Sequence, residues 1–395
     1  MRITIIHSYY YPDVKGGAEY SLKKLAEGLI GRGIEVSVIC DNPDGNMDDN
    51  VNGVRVYRRK MHYVRESHSF IAKVKRAILE LYNLQNAEII RRVIELEQPD
   101  VIYTNCLEHI SPVAWTVAHR HGIRIVDTQR VYVLLEMAGG KYKVGNRLWR
   151  GVNRWLSGMV DSSAFISEYT EDKFVRAGFF RKATHHVIYN AIDFDEQQTE
   201  VYTQNHICRR REKEKIRFVY LGTLSEHKGI QTLLEAFEKL ASNDIELHIA
   251  GDGPMKSIVT SAMNNDRRIR YYGWLQEKEI NCLLNECDVL VCPSIWPEPF
   301  GRVVLDAYKH GMPVISTVSG GLRETVVNEK TGLQIDASDV VNLEKAMLRM
   351  IEDDALYITC CKGAMTKIRE FSLERYLDRF IAVFTDELKG ARNAK

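Results

Sequence analysis

The sequence contains no run of about 18 apolar residues, so it predicts no helix that crosses a membrane. Its opening apolar stretch is also too short for a signal peptide. The eight cysteines include no C-x-x-C pair, which argues against a zinc site and favours free thiols in a reducing compartment. Lysine plus arginine (54) nearly cancel aspartate plus glutamate (53), so no polyanionic partner such as nucleic acid is indicated. These absences favour a globular cytoplasmic protein.

What the sequence does have is a repeated alternation of short apolar strands and amphipathic helices along its 395 residues. That alternation predicts an α/β fold with parallel sheets and crossover helices, and the length predicts two or three domains. The polar segment 195–215 lacks a hydrophobic period and is interpreted as a connector. We therefore predict two Rossmann-like doubly wound domains, residues 1–190 and 191–371, that face a central cleft. Ligands of such domains bind beyond the carboxyl ends of the strands.

Charge is distributed unevenly between the two predicted domains. Residues 1–190 carry 27 basic and 21 acidic residues, a net of +6, whereas the remainder carries a net of −5. Two stretches, 55–92 and 141–155, combine basic residues with aromatic or aliphatic ones near helical spacing. Such helices suit peripheral contact with an anionic membrane surface, and a solvated helix face packed on the core explains the pattern equally well. No nucleic-acid recognition motif accompanies the charge.

The most specific motif follows the predicted strand 288–292 and reads PSIWPEPFGRVVLD, residues 293–306. A helix is predicted to start at Gly301, where unsatisfied backbone amides suit phosphate or hydroxyl oxygens. Glu298 lies in the loop, and Asp306 follows it by eight residues. A carboxylate binds sugar hydroxyls well because both of its oxygens accept hydrogen bonds. The alternative is a capping acid followed by an ordinary helix acid.

This segment resembles the donor-site signature of glycosyltransferase family 4, a family of retaining enzymes with the GT-B fold. The resemblance rests on Glu298-Pro299-Phe300-Gly301, Asp306, Gly311-Met312-Pro313-Val314-Ile315, Gly320-Gly321 and Glu324. It implies that Glu298 holds the donor sugar hydroxyls and that Asp306, where the family usually has Glu, holds the ribose hydroxyls. It also implies that a C-terminal helix, residues 372–395, packs back on the first domain.

Further segments resemble the same family's phosphate loop and glycine-rich loop. Lys228 occupies the position of a lysine that clamps the diphosphate, whereas Thr223 stands where the family has arginine, and Arg302 is the nearby candidate to compensate. The residues predicted to be catalytic are Lys228, Glu298 and Arg302. The residues predicted to bind the donor are Gly17, Gly222, Thr223, Gly251, Leu275, Glu298, Pro299, Phe300, Gly301 and Asp306. Those predicted to contact the donor sugar or the acceptor are Gly16, Asn105 and Arg130.

Arg130 departs from the family pattern. It stands where the family often has a histidine that contacts the donor sugar near its C6 hydroxyl. Because arginine pairs bidentately with carboxylates, one hypothesis is that Arg130 recognises a uronic acid donor. The alternatives are that Arg130 pairs with an acid of the protein, or that the alignment is shifted.

The resemblance implies transfer of a hexosyl unit from a nucleoside diphosphate sugar, with UDP the commoner expectation, to a saccharide or lipid-linked acceptor. Retention by front-side attack needs neither a metal nor another cofactor, and none is predicted. Such an enzyme would serve surface polysaccharide or glycoconjugate synthesis in the cytoplasm, in peripheral contact with the inner face of the plasma membrane. The alternatives are a nucleotide-sugar epimerase on the same fold and a non-catalytic sugar-nucleotide-binding subunit. The sequence leaves the oligomeric state open.

Overall fold

The computed structural model describes residues 1–14, 17–62, 78–79, 82–135, 143–212 and 215–385. These residues form two compact units, each built on its own sheet. The first unit contains Met1–Tyr189 together with the chain from Glu374 onward, and the second unit contains Asn190–Leu373. The last of the described helices therefore belongs to the first unit.

The described part of the first unit has an eight-stranded sheet. Its strands are β1 (Arg2–Ile6), β2 (Glu35–Asp41), β3 (Met47–Val51), β4 (Val54–Arg59), β5 (Val101–Asn105), β6 (Arg124–Gln129), β7 (Ser162–Phe165) and β8 (Thr184–Val187). Its helices that precede the second unit in the sequence are α1 (Gly17–Gly31), α2 (Leu84–Glu97), α3 (Val113–Arg120), α4 (Lys143–Leu156) and α5 (Glu168–Arg176). The sheet order is β3-β4-β2-β1-β5-β6-β7-β8, and only the β3–β4 pair is antiparallel in this described sheet.

The described part of the second unit has a six-stranded, all-parallel sheet. Its helices are α6 (Glu196–Arg211), α7 (Ile230–Glu238), α8 (Lys256–Asn265), α9 (Glu277–Glu286), α10 (Arg302–Lys309), α11 (Leu322–Thr325), α12 (Val340–Glu352) and α13 (Asp354–Lys367). Its strands are β9 (Ile216–Leu221), β10 (Ile245–Ala250), β11 (Ile269–Tyr271), β12 (Val289–Cys292), β13 (Val314–Thr317) and β14 (Gly332–Ile335), in the order β11-β10-β9-β12-β13-β14. Helices cover both faces of such parallel sheets, which explains why the strands read as nearly continuous apolar runs.

The last helix, α14 (Leu373–Thr385), packs on the first unit through an apolar stripe. Phe380 and Phe384 of this stripe contact the Tyr103 ring edge-to-face, with centroids 5.5 and 5.4 Å away. Leu377 lies so close to Gly28 of α1 that a Cβ at this glycine would come within 2.6 Å of the leucine methyl carbons. The glycine therefore allows the close approach of the two helices.

The prediction of a connector at 195–215 is wrong, because Glu196–Arg211 form helix α6. The sequence of α6 shows no apolar periodicity because its buried face includes the polar residues Thr199, Thr203 and His206. Thr199 Oγ1 donates to a backbone carbonyl of α10 at 2.9 Å, and Thr203 Oγ1 to a carbonyl of its own helix at 2.8 Å. Hydrogen bonds thus allow a polar helix face to be buried, which an apolar pattern cannot reveal.

The described part of the basic stretch 55–92 consists of a strand and a helix, β4 and α2. On β4, Arg55 pairs with Glu97 at 2.7 Å and Arg59 with Asp48 at 2.5 Å. The two arginines of α2 pair with acids of their own helix. The chain between β4 and α2 lies largely outside the described residues. The basic surface of the described part is therefore smaller than the composition predicts.

Helix α4, in the second basic stretch, presents a mixed face to solvent. Leu148 and Trp155 are each 67% exposed, and Arg147 and Arg154 are exposed beside them in the sequence. Trp149 points to the other side, is buried and donates from its indole nitrogen to a backbone carbonyl at 3.1 Å. None of the described helices is long and apolar enough to cross a membrane.

Candidate active site

The carboxyl ends of strands in the second unit carry the residues that the sequence singled out. Gly222 follows β9, Gly251 follows β10, and the loop 293–301 follows β12. Gly222 N donates to Ala250 O at 3.1 Å, and Gly251 N donates to Gly273 O at 2.8 Å. Backbone hydrogen bonds thus join these strand-end loops. In doubly wound sheets this is the edge where ligands bind.

Close backbone contacts fix the shape of these loops, and Gly251 and Gly320 are two of the positions that require glycine. A Cβ on Gly251 would lie 1.8 Å from Gly222 O, and a Cβ on Gly320 would lie 2.2 Å from Glu298 O. Gly251 and Gly320 also have φ angles of 145° and 64°, which other residues rarely adopt. Gly321 N donates to the same Glu298 carbonyl at 2.7 Å. Backbone contacts therefore hold the loop that carries Glu298 against the loop after β13.

Lys228 and Glu298 are 70 residues apart in the sequence and in direct contact in the structure. Lys228 Nζ donates a short hydrogen bond to Glu298 Oε1, which also accepts one from Ser294 Oγ at 2.9 Å. The Lys228 side chain is 28% exposed and the Glu298 side chain 14%. The site thus combines a cation that can neutralise a phosphate with a carboxylate that can accept hydrogen bonds from hydroxyls.

The loop after Glu298 leads directly into the N-terminus of α10. Phe300 is buried and packs edge-to-face on Phe371, with 5.8 Å between ring centroids. Pro299 O lies so close to the next loop that a Cβ on Gly321 would come within 2.5 Å of it. Gly301, with a φ of 88°, is the N-cap residue and contributes no side chain to the cap. The first amides of α10 and its helix dipole therefore suit an anionic ligand.

Arg302 and Asp306 lie one turn apart on α10, and both are half-buried. Burial raises the pKa of Asp306, and the positive charges of Arg302 and Lys309 oppose that rise. The two predicted acids therefore occupy different elements, since Glu298 lies in the loop before the helix and Asp306 within it.

Thr223 and Leu275 lie in the loops after β9 and β11. Thr223 is exposed, and its backbone carbonyl accepts a hydrogen bond from the Tyr220 hydroxyl at 2.8 Å. Leu275 is half-buried and follows Trp274, whose side chain is 69% exposed. Because threonine is uncharged, the phosphate-binding role that the resemblance gives to an arginine has no cation at this position.

In the first unit, Gly16 lies outside the described residues, and Gly17 is exposed at the start of α1. Asn105 ends β5 and is fully buried, and its Oδ1 has no hydrogen-bond partner within the described part of the chain. Arg130 follows β6, is 7% exposed, and donates from Nη2 to the Tyr376 hydroxyl at 2.8 Å. That partner is a phenol of α14, whereas the sequence suggested a carboxylate, from a ligand or from the protein.

Sequence reasoning missed His7, which directly follows β1, the strand paired with β5. Its Nδ1 accepts a hydrogen bond from Tyr9 N at 3.1 Å. Burial, together with the charge of Arg130, lowers the pKa of His7 to about 3, so the ring is neutral and carries its proton on Nε2. Among the described residues this N–H has no acceptor. The local sequence shows only a histidine at the end of the predicted strand 2–7, which does not reveal its burial.

Asp127 on β6 is a second buried group that sequence reasoning missed. Its carboxylate oxygens accept hydrogen bonds from Thr104 Oγ1 and Gln129 Nε2, both at 2.5 Å. Burial raises the pKa of Asp127 to about 7, although these two hydrogen bonds oppose the rise. A carboxyl group that titrates near neutral pH is typical of functional regions.

Comparison with known proteins matches both halves of the chain. Residues 15–196 match the model described as Glycosyltransferase Family 4, and residues 204–364 match that described as Glycosyl transferases group 1. An uncharacterized 42.6 kDa protein in the cps region of Klebsiella pneumoniae is 29% identical over 82% of this chain and 87% of its own. Glycogen synthase of Mycobacterium tuberculosis is 26% identical over 90% and 87%. Anabaena Alr3699/HepE, crystallised in complex with UDP, is 19% identical, with a TM-score of 0.71 over 98% of this chain and 100% of its own. This structural likeness confirms the predicted GT-B fold.

Proposed function

Because the chain belongs to glycosyltransferase family 4, with a group 1 glycosyltransferase model matching its second half, we propose that it transfers a hexosyl unit from a nucleoside diphosphate sugar with retention of configuration. The acceptor is a saccharide or a lipid-linked saccharide, in the synthesis of a surface polysaccharide or glycoconjugate. The observation that carries this proposal is the contact of Lys228 with Glu298, in the loop that leads into the N-terminus of α10.

The diphosphate would be bound by the cationic part of this site. Lys228, Arg302 and the first amides of α10 neutralise the negative charge that develops on the leaving phosphate. Such prepositioned donors contribute several kcal/mol to catalysis because they need no reorganisation during the reaction. The Gly17 amide is a further donor for the phosphate in this proposal. Thr223 leaves the second unit with one cation fewer than the family pattern provides.

The sugar and the nucleoside would be bound by the two acids. Glu298 accepts hydrogen bonds from the sugar hydroxyls while Lys228 and Ser294 hold its carboxylate in place. Asp306 accepts from the ribose hydroxyls, and the loop with Leu275 contacts the base. UDP is the proposed nucleotide, supported by the UDP complex of the structural relative HepE.

The proposed chemistry is front-side attack without a metal ion. The acceptor oxygen forms its bond to the anomeric carbon on the face that the diphosphate leaves. The bond between that carbon and the phosphate oxygen breaks, and the acceptor proton passes to the leaving phosphate. Exclusion of water from the bound donor would limit its hydrolysis.

The acceptor would be bound by the first unit. In this proposal an acceptor hydroxyl would accept a hydrogen bond from His7 Nε2 or donate one to Asn105 Oδ1, since each of these atoms lacks a partner among the described residues. Helix α4 would bring this unit to an anionic membrane at the cytoplasmic face. Leu148 and Trp155 supply the apolar contact, and the neighbouring arginines supply the charge.

A non-catalytic sugar-nucleotide-binding subunit is the second candidate. It is favoured by the uncharged Thr223 and by Arg130, which stands in place of the family's histidine and is held by Tyr376. Such a subunit would bind the nucleotide sugar and release no nucleotide.

The test is nucleotide release from a panel of UDP- and GDP-sugars, with and without acceptors and with EDTA present. Uronic acid donors belong in the panel because of Arg130. We expect acceptor-dependent release from one UDP-hexose, unchanged by EDTA, and NMR should show a product with the donor's anomeric configuration. A sugar with inverted configuration at a ring carbon other than the anomeric one, formed without any acceptor, would indicate an epimerase. Tight UDP binding without release over a broad acceptor panel would favour the binding subunit.

Glu298→Gln provides the site-directed arm of this test. The amide cannot accept hydrogen bonds with both terminal atoms, so we expect at least a hundredfold loss of activity at unchanged folding. Glu238→Gln, at an exposed position at the end of α7, is the matched control. Full activity of Glu298→Gln would contradict the site assignment.

A further inference from the structure

A cavity of about 70 Å³ lies at the carboxyl ends of β5 and β6 in the first unit. Its apolar wall is formed by Leu107, Pro112, Trp115, Val133, Leu134 and Trp149. None of the residues assigned so far to the donor lies in this wall. The cavity therefore differs from the strand-end loops of the second unit, because its wall is apolar and those loops are polar.

The polar atoms of the two tryptophans are already used within the protein. Trp115 Nε1 donates to Thr104 Oγ1 at 2.8 Å, and Trp149 Nε1 donates to Val133 O at 3.1 Å. The rings consequently offer the cavity only carbon surface. A site of this kind favours an apolar occupant, because a polar group entering it would lose its hydrogen bonds to water.

The size of the cavity limits what can enter it. A single water needs roughly 10–15 Å³ of such volume, so the cavity accommodates about five waters. One aromatic ring or a short alkyl segment has a comparable size. At the wall, Val131 and Val133 are 42% and 39% exposed, so apolar surface continues outward into solvent.

The polar lining of the cavity consists of Glu108, Asp127, Thr128, Gln129 and Arg130. Arg130 is among the residues that the sequence predicts to contact the donor sugar or the acceptor. A ligand whose sugar hydroxyls bind to these polar side chains could therefore place an attached apolar group against the two tryptophans. On this basis, and resting on the proposed glycosyltransferase function, we propose that the acceptor is an amphiphilic glycoside whose apolar aglycone, an aryl group or an alkyl chain, binds in this cavity.

The test is a donor-free binding measurement with methyl, phenyl and octyl β-D-glucoside, which differ only in the aglycone. Fluorescence titration is suitable because Trp115 and Trp149 line the cavity. We expect the phenyl or the octyl glucoside to bind at least tenfold more tightly than the methyl glucoside. A preference for phenyl indicates an aryl aglycone, and a preference for octyl indicates an alkyl chain. Equal affinity for all three glucosides would overturn the inference.

Two variants locate the binding. Val133→Asp places a charge on a partly exposed wall residue and should abolish the tenfold preference, whereas Val175→Asp, 43% exposed on α5, should retain it. Leu134→Phe should weaken binding by filling the cavity without adding charge. An unchanged preference in both Val133→Asp and Leu134→Phe would count against the cavity. Because no donor is present, this result does not depend on turnover, and transfer without any aglycone preference would refute only the cavity inference.

Discussion

The strand-end loops of the two units are built by different means. In the second unit the left-handed positions after β9, β10 and β13 are the glycines Gly222, Gly251 and Gly320, and only the loop after β14 uses another residue, Ser338, among the described strand-end loops of this unit. In the first unit the loop after β5 uses Cys106 and Ser111 at φ angles of 55° and 83°. The second unit therefore shapes these loops mainly with glycine backbone, whereas the first unit uses residues with side chains in a conformation that costs roughly 1–2 kcal/mol per residue.

Side-chain hydrogen bonds offset that cost in the first unit. Ser8 Oγ donates to Cys106 O at 2.7 Å, and Asn86 Nδ2 donates to the carbonyl of His109, itself at a φ of 66°. Ser111 Oγ accepts from the amide two residues on at 3.1 Å. A backbone-built site suits a diphosphate that all members of a donor class share, and a side-chain-built site can be varied for each acceptor.

Lys228 is the main side-chain contribution to the backbone-built site, and its removal should have the largest effect. We expect Lys228→Met to lower kcat about 10²- to 10³-fold, because one prepositioned charge at the leaving group is lost. Steady-state kinetics with the active donor measures this effect. Lys239→Met, at an exposed position at the end of α7, should behave as wild type. Comparable activity of the two variants would mean that Lys228 is dispensable and that the backbone amides and Arg302 bind the diphosphate.

Gly320→Ala tests the close backbone contact between the loop after β13 and the loop that carries Glu298. The new Cβ would lie 2.2 Å from Glu298 O, so the loop must shift, and we expect a stability loss of about 2–3 kcal/mol and roughly tenfold to hundredfold lower activity. Gly122→Ala is the matched control, since its φ of 65° equals that of Gly320 within a degree and nothing lies within 4 Å of its Cβ. It should lose only about 1 kcal/mol and keep its activity. Urea unfolding and kinetics on both variants measure the difference, and equal losses would show that crowding is unimportant.

The same contrast between the two units explains which features could be predicted from the sequence and which could not. The donor segment with Glu298, Gly301 and Gly320 was recognisable because close backbone contacts require glycine, and glycine spacing is visible in a sequence. The alternation of strands and helices likewise predicted the parallel core of both sheets, but it did not predict the antiparallel pair β3 and β4. Helix α6 was missed because its buried face is polar. His7 and Asp127 were missed because their significance depends on burial and on neighbouring strands that no local pattern reveals.

The buried Asp127 in the first unit should make the stability of the protein depend on pH. Its folded pKa of about 7 exceeds the unfolded value near 4, so the folded state binds an extra proton between these values. Stability should therefore fall as pH rises, by about 2 kcal/mol between pH 5 and pH 7. Urea unfolding of Asp127→Asn should show a correspondingly flatter pH profile, since the amide does not ionise. Asp172→Asn, in a half-exposed ion pair on α5, should keep the wild-type profile. A full slope in Asp127→Asn would assign the pH dependence to other groups.

The smallest expected effect distinguishes the outer surfaces of the two units. Trp155 on α4 and Trp274 after β11 are 67% and 69% exposed, but only Trp155 has arginines exposed beside it on a helix face. We expect Trp155→Ser to weaken binding to phosphatidylglycerol-containing vesicles about three- to tenfold, because an interfacial aromatic side chain is lost from a basic helix. Trp274→Ser should leave vesicle binding unchanged, and vesicle sedimentation at low and at physiological salt measures both. Equal weakening by the two substitutions would mean that exposure alone governs the membrane contact. No weakening by Trp155→Ser would mean that this face of α4 makes no membrane contact. A loss confined to Trp155→Ser would place the membrane contact on the unit that is proposed to bind the acceptor, which is where a lipid-linked acceptor would have to arrive.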